Sequence, residues 1–182
     1  LKAILGFAQL LELDGLEGDK RESVDQILKG GRHLLDLINE VLDISRIETG
    51  QLALSLEPVN VGELVADVIS LIGPLGAERD VGLRSELPDG QWHILADRQR
   101  IRQVLLNLLG NAVKYSPPGA VATIGADRVE DGRIRISIAD TGPGIPPGLM
   151  ARLFVQFERI GAEATGVEGT GLGLVLSRAL VE

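Results

Sequence analysis

Four polar side chains recur at helical spacing in the segment 102–116, RQVLLNLLGNAVKYS. At about 100° per residue of an α-helix, they fall within an arc of roughly 80° on one face: Gln103, Asn107, Asn111 and Lys114. Apolar residues fill the rest of the circumference, so we expect this helix to be buried almost all round. Solvated faces usually carry Glu and Lys, and Asn is a poor helix former. The stripe therefore favours a polar ligand, with a solvated face as the alternative.

A carboxylate follows a strand pattern in RIRISIAD. Ile134, Ile136 and Ile138 alternate, and a period of two places Asp140 on the same, inward side. A buried carboxylate requires a hydrogen-bond donor from the protein or from a ligand, and an exocyclic amine such as that of adenine would fit. The following TGPGIPP allows close backbone approach at Gly142 and Gly144, although D-x-G-x-G also suits a plain turn.

Three alternate glycines near the end of the chain, Gly169, Gly171 and Gly173, precede or open a helical pattern. Such a loop presents backbone N–H groups and the positive end of a helix dipole to an anion, typically a phosphate. The connection before it, 146–169, has a length typical of lids or disordered segments. Each motif is weak evidence alone, but their ordered conjunction after the Asn-rich helix is informative.

The elements that position these residues fall into two groups, with a domain boundary predicted near Gly50. Residues 1–13 and about 21–48 read as amphipathic helices, and the apolar seam of the second, from Val24 to Ile47, has the spacing of a helical bundle. Two helices cannot cover that seam, so we expect an identical hairpin to complete a four-helix bundle. Within this helix, Asp43 and Glu48 are assigned to a solvated face.

After residue 50 the apolar period changes to two, and strands are predicted at five places: 52–57, 81–87, 93–96, about 120–129 and 133–139. Asn60, with Glu63 three residues later, is expected to cap one helix, and Asp97 to cap the Asn-rich helix. The turn at 130–132 predicts an antiparallel hairpin. The predicted fold class is α+β: a helical hairpin, half of a dimeric four-helix bundle, followed by an α/β sandwich with one mixed sheet covered by helices on one face.

Composition narrows the function classes. The 182 residues carry a net charge of −8, which argues against nonspecific nucleic-acid binding, and they contain no cysteine for a disulfide or a thiolate metal site. No apolar run reaches membrane-spanning length, so we expect a cytoplasmic segment, with any membrane anchor outside it. The chain opens without a helix cap and ends inside an apolar pattern, which suggests an excised segment.

Four motifs together resemble the N, G1, F and G2 boxes of sensor histidine protein kinases. In order they are N107-L-L-G-N111-A-V-K114-Y115, D140-T-G142-P-G144-I, F154-V-Q-F157-E-R159 and G169-T-G171-L-G173-L. The resemblance covers essentially the whole chain: residues 1–50 look like the dimerisation and phosphotransfer hairpin, and 51–182 like the ATP-binding domain. It implies Mg²⁺-dependent ATP binding, a homodimer, transfer of the γ-phosphate to a histidine, and a response-regulator receiver domain as the next acceptor.

The resemblance also implies which residues meet the cofactors. Asn111 would ligate Mg²⁺ with Asn107 beside it, Lys114 and Arg159 would meet phosphates, Tyr115 the sugar or base, and Asp140 the adenine amine. The full set of implied nucleotide contacts is Asn107, Asn111, Lys114, Tyr115, Asp140, Gly142, Gly144, Arg159, Gly169, Thr170, Gly171, Leu172 and Gly173.

Two departures from the family pattern qualify these expectations. The phosphoaccepting histidine would precede Leu1, so it is expected to be missing, and the terminal strands that complete the family's sheet are missing too. His33 and His93 occupy no acceptor motif, and His33 is interpreted as a partly exposed structural residue.

An ATPase of the same superfamily and a nucleotide-free interaction module remain alternatives. The ATPases place a Glu where Asn107 stands, so the Asn favours phosphotransfer. A nucleotide-free module would be expected to have lost Asn111, Asp140 or the glycines, and this chain retains all of them.

Overall fold

The computed structural model describes residues 1–13, 15–88, 90, 92–160 and 169–182. The chain divides into two compact units, Leu1–Gln51 and Leu52–Glu182. In chain order we name the elements α1 Lys2–Leu13, α2 Asp19–Glu48, β1 Glu57–Asn60, α3 Val61–Glu78, β2 Gly82–Glu86, β3 His93–Ala96, α4 Arg98–Tyr115, β4 Val121–Arg128, β5 Ile134–Ala139 and α5 Gly173–Val181. Short 3-10 turns occupy Glu130–Gly132 and Pro147–Arg152.

The first unit is a helical hairpin, as predicted. Leu5 and Ala8 of α1 are buried against Val24 and Leu28 of α2. Gly31 lies opposite Leu5, and a Cβ added there would come within 2.5 Å of a Leu5 methyl carbon, so glycine at this position permits close helix approach. Much of the predicted seam stays exposed: five apolar residues of α2 are 40–49% exposed, namely Ile27, Leu34, Ile38, Val41 and Leu42.

The second unit is an α+β layer, which confirms the predicted class, and its described residues form two sheets in place of the single one expected. β1 and β3 form an antiparallel pair, with Glu57 opposite Ala96. The other sheet has the order β2-β4-β5 and is mixed: β2 runs parallel to β4, while β4 and β5 are antiparallel. The predicted hairpin is therefore confirmed.

The core of this unit lies between the helices α3 and α4 and the inner face of β4. Alternate residues of β4 are almost completely buried: Ala122, Ile124 and Ala126. They pack with fully buried residues of the two helices, among them Leu64, Val68, Leu109 and Val113. One layer of helices on one face of the mixed sheet is the arrangement that the alternating and helical apolar periods predict.

The strand predicted at 52–57 is wrong. Residues 52–56 are not in a strand, and Leu54 and Leu56 are exposed. The Ser55 N–H donates instead to an Asp97 carboxylate oxygen at 3.0 Å. Alternation alone therefore does not make a strand, because a strand also needs a neighbour that accepts its backbone hydrogen bonds.

Both predicted helix caps are present. The Asn60 side chain accepts hydrogen bonds from the N–H groups of Gly62 and Glu63, at 2.9 and 3.3 Å. The Glu63 side chain lies 3.9 Å from Arg98 in an exposed ion pair. Asp97 accepts from the Arg100 N–H at 3.0 Å, so α4 begins at the predicted residue.

Candidate functional site

The start of α4 is fixed by one carboxylate. Asp97 accepts from the Ser55 N–H through one oxygen and from the Arg100 N–H through the other. These two backbone hydrogen bonds, that of Ser55 first, lower the pKa of Asp97 below its ordinary value, because they stabilise the charged form. The cap therefore fixes the residue at which α4 begins.

The polar stripe of α4 exists as predicted, and each of its four members is half-buried. Its first member, Gln103, accepts a hydrogen bond from the Arg100 guanidinium at 3.1 Å. Apolar residues on the remaining sides are buried, among them Val104, Leu105 and Val113. The stripe is thus a half-buried polar face of α4, separate from the face on which Arg98 and Arg102 pair with Asp67 of α3.

Asn107 contacts α5. Its Nδ2 donates to the Ser177 hydroxyl at 2.8 Å, and its Oδ1 accepts a long hydrogen bond from Asn111 Nδ2 at 3.5 Å. Gly173, the first residue of α5, lies so close that a Cβ there would overlap the Asn107 carboxamide. The two Asn residues and the end of the glycine loop therefore form one cluster.

Asp140 and the end of α4 form a second cluster. The Gly142 N–H donates to Asp140 Oδ1 at 2.8 Å, an Asx turn. A Cβ on Gly142 would lie 2.9 Å from the Tyr115 carbonyl oxygen, so a glycine is needed for this close approach. Gly144 has a φ of +68°, which also favours glycine.

The prediction that Asp140 points inward and is buried is wrong. β5 ends at Ala139, and Asp140 is exposed. Asp140 would be the next residue of β5, but its side chain forms an Asx turn with the Gly142 N–H and the backbone leaves the strand. The inward–outward alternation of β5 therefore stops at Ala139. The D-x-G segment therefore forms a turn, and the second carboxylate oxygen of Asp140 has no protein hydrogen-bond donor among the described residues.

The two predicted residues at the end of α4 differ in exposure. Lys114 is half-buried, and its carbonyl oxygen accepts from the Arg79 guanidinium at 3.3 Å. Tyr115 is 38% exposed at the last position of the helix. Beside them, the Ser116 hydroxyl is buried and has no hydrogen-bond partner in the described part of the chain.

The glycine loop leads into α5 as predicted. Gly171 has a φ of +73°, and a Cβ there would lie 2.7 Å from the carbonyl carbon of Phe157. The Leu172 N–H donates to the Thr170 hydroxyl at 3.2 Å, and the Leu172 side chain is buried. Gly169 is exposed, with nothing within 4 Å of a Cβ built on it. The loop is therefore anchored at Leu172 and open at its start.

The connection before the glycine loop is described only in part. The Arg178 guanidinium lies over the Phe154 ring, 5.2 Å from its centroid, and Arg152 pairs with Glu158. Phe157 has a φ of +62°, in the left-handed region that is unusual for an aromatic residue. Arg159 is exposed. Of the connection 146–169, predicted to be a lid or disordered, residues 161–168 lie outside the described residues, so this prediction stays untested.

His33 is exposed on α2, more so than the partly exposed position expected for it. It lines a cavity of about 450 Å³ in the hairpin together with charged residues that include Glu12, Asp25, Arg32 and Asp36.

Within the described ranges, no group of three or more His, Cys, Asp or Glu side chains is arranged to hold a metal ion. None of the helices described is long and apolar enough to cross a membrane.

Sequence reasoning missed Ser177. The available signal was its position four residues after Gly173, which places both on one face of a helix that begins at the glycine loop. It also missed the Ser55 contact to Asp97, for which no sequence pattern exists, since 42 positions separate the two residues.

Comparison with known proteins gives two family matches. Residues 1–50 match the family described as "His Kinase A (phospho-acceptor) domain", and residues 96–182 match the one described as "Histidine kinase-, DNA gyrase B-, and HSP90-like ATPase". Among curated proteins, histidine protein kinase DivJ of Caulobacter vibrioides is 38% identical over 185 residues, which cover all of this chain and 31% of DivJ. The chain spans about a third or less of the curated relatives of this kind that it matches.

Solved structures show the same similarity. Full-length ShkA in complex with AMPPNP has a TM-score of 0.83 and 37% identity, covering 97% of this chain and 36% of ShkA. The Acinetobacter baumannii histidine kinase AdeS has a TM-score of 0.73 and 26% identity, covering 98% of this chain and 82% of AdeS.

Proposed function

The chain belongs to the sensor histidine kinases, and on that premise we propose that residues 52–182 bind Mg-ATP and donate its γ-phosphate to a histidine, from which a response-regulator aspartate takes it. The observation that carries the proposal is the contact cluster of Asn107, Asn111 and Gly173. It joins the polar face of α4 to the start of α5, and these elements hold the two motifs that the resemblance assigns to metal and phosphate.

The adenine contact is assigned to Asp140. Its carboxylate is exposed and engages only one N–H among the described residues, that of Gly142, so an oxygen is available to accept from an exocyclic amine. The absence of a side chain at Gly142 keeps the backbone there close to the end of α4. Asp140 would select adenine by hydrogen bonding, with Tyr115 near the sugar or base.

The donor set fits Mg²⁺. Asn111 Nδ2 is directed to Asn107, and no protein partner is seen for Asn111 Oδ1 in the described part of the chain, so a neutral oxygen is available on a half-buried helix face. Mg²⁺ takes oxygen ligands, keeps several waters and bridges phosphates, so one protein oxygen is compatible with it. When bound, the ion would neutralise charge that develops between the β- and γ-phosphates.

The phosphates require local positive groups, since the chain as a whole carries a charge of −8. We assign Lys114 and Arg159 to them, together with the loop from Gly169 to Gly173, whose backbone N–H groups precede α5. Phosphoryl transfer depends mainly on positioning and charge stabilisation, and these groups supply both.

Phosphotransfer is favoured over hydrolysis because of Asn107. A carboxamide has no basicity to activate water, and this one donates to Ser177 and accepts from Asn111. The resemblance of this helix to the N box implies that a hydrolase of the same superfamily would carry a Glu at this position, as the base that activates water. We therefore expect slow ATP hydrolysis by this chain alone.

Two protein partners are assigned, and the hairpin supplies the evidence for the first, a second copy of this chain. Its open face of Ile27, Leu34, Ile38, Val41 and Leu42 is apolar, so we assign it to a second copy of the hairpin and the resulting bundle to a homodimer. We assign the receiver domain of a response regulator as the partner that takes the phosphate. The acceptor histidine is proposed to lie outside residues 1–182, because His33 and His93 match no acceptor motif.

The test is transfer in trans with radiolabelled ATP. We expect the chain alone to acquire no acid-labile label and to label a separate histidine-kinase hairpin that carries the acceptor histidine, slowly because proximity is lost. Asn111→Ala serves as the matched negative control. Acid-labile label at His33 would show that the acceptor lies within this chain. No label on the hairpin, with ATP binding confirmed, would refute donor competence.

A further inference from the structure

Ser177 is the polar residue of the described chain whose side chain is most completely buried. It lies in α5, is 6% exposed, and its hydroxyl accepts from Asn107 Nδ2 at 2.8 Å. Seventy positions separate the two residues. The hydroxyl therefore holds a residue of the candidate metal site from a different helix.

This hydrogen bond fixes the orientation of two carboxamides in turn. With Nδ2 of Asn107 directed to Ser177, its Oδ1 faces Asn111, which approaches through its own Nδ2 at 3.5 Å. A carboxamide carries its nitrogen and oxygen on opposite sides, so the oxygen of Asn111 is directed away from Asn107. The reversed orientation of Asn107 would present a nitrogen to Asn111 and draw the Asn111 oxygen inward.

Gly173 packs against the Asn107 carboxamide. A Cβ at this position would overlap the Asn107 carboxamide, so the backbone of the first turn of α5 lies directly against that group. Ser177 is one helical turn further along the same face of α5. The two residues of α5 thus confine the carboxamide by contact and orient it by hydrogen bonding.

We propose that Ser177 is a positioning residue that acts through Asn107 to present the Asn111 oxygen to the nucleotide-bound Mg²⁺. The inference rests on the proposed function. Groups that hydrogen-bond directly to a metal ligand orient it in many sites, and their loss commonly lowers metal affinity by about 10- to 100-fold. Ser177 acts one hydrogen bond further away, through Asn107, so we expect an effect at the lower end of that range. A purely structural role for Ser177, in packing α5 against α4, would affect nucleotide binding with and without the metal alike.

The experiment measures the affinity of the chain for AMPPNP by calorimetry, once with Mg²⁺ and once with EDTA. The ratio of the two dissociation constants is the metal dependence. Ser177→Ala removes the hydroxyl, Ser177→Cys keeps the side-chain connectivity but replaces the oxygen by a larger sulfur that is only a weak acceptor, and Ser177→Thr retains the hydroxyl. Ser70→Ala, which removes an exposed hydroxyl of α3, is the control.

We expect the metal dependence to fall about tenfold in Ser177→Ala and Ser177→Cys, with metal-free affinity within about twofold of the wild type. Ser177→Thr and Ser70→Ala should retain the wild-type ratio. An unchanged ratio in a folded Ser177→Ala or Ser177→Cys variant would overturn the inference, and so would an equal loss with and without Mg²⁺. A wild-type chain that fails to bind AMPPNP, or binds it without regard to Mg²⁺, would instead overturn the proposed function.

Discussion

Replacing Asp97 by alanine tests how α4 is held in place. The substitution removes the acceptor for the Arg100 and Ser55 N–H groups. Loss of an N-cap costs about 0.5–2 kcal/mol, and loss of a negative charge at a helix N-terminus about 0.3–1 kcal/mol. Ser55 is exposed, so its N–H can hydrogen-bond to water in the variant, and the loss of this bond adds little to the destabilisation. We therefore expect the free energy of unfolding of residues 52–182 to fall by about 1–3 kcal/mol.

The pH dependence of this loss has a defined sign. The backbone donors lower the pKa of Asp97 in the folded state, Ser55 most and Arg100 next, so the charged carboxylate stabilises the fold. That stabilisation is complete above the ordinary aspartate pKa of about 3.9 and is lost as the pH falls through the lower, folded-state pKa. The difference between wild type and Asp97→Ala should consequently shrink below about pH 4.

Urea unfolding followed by tryptophan fluorescence measures this difference. Trp92 is the single tryptophan, it belongs to the unit that contains α4, and it packs against that unit's core, so the signal reports unfolding of this unit. Asp97→Asn keeps a good cap without the charge and should recover most of the loss. Asp127→Ala removes an exposed carboxylate of β4 and is the control. Equal midpoints for wild type and Asp97→Ala, or a loss that persists unchanged at pH 3, would refute the reasoning.

Three further predictions concern the nucleotide, the glycine loop and the hairpin. Asp140→Asn should weaken ATP binding much more than binding of free triphosphate, because only the group that accepts from the base changes; calorimetry that shows unchanged ATP affinity would contradict the assignment. Gly171→Ala should lower stability by about 1–3 kcal/mol in the urea assay, because a Cβ is strained at a φ of +73° and meets the Phe157 backbone; an unchanged midpoint would show that this contact yields. Ile38→Asp places a charge on the open face of α2 and should shift a concentration-dependent dimer towards monomer in sedimentation equilibrium, whereas a monomeric wild type would count against the homodimer.

Local patterns predicted most elements because periodicity and capping depend on neighbours within a few residues. The bounds of α4, its Asp97 cap, the Asn60 cap and the β4–β5 hairpin all follow from such patterns. The same logic failed at 52–56, where the alternating leucines have no strand to pair with. It failed again at Asp140, because alternation continues only while the strand does.

The sequence by itself determined the order of the motifs, the residue types that face one side of α4, and the family to which they point. The tertiary structure decided how those residues are held. The Ser177 hydroxyl reaches Asn107, Gly173 lies against that carboxamide, and Asp97 binds the Ser55 N–H. Each of these contacts joins segments at least 42 positions apart. Sequence periodicity reports only neighbours within a few residues, so these contacts become visible only when packing of the core brings α4, α5 and the segment 52–56 together.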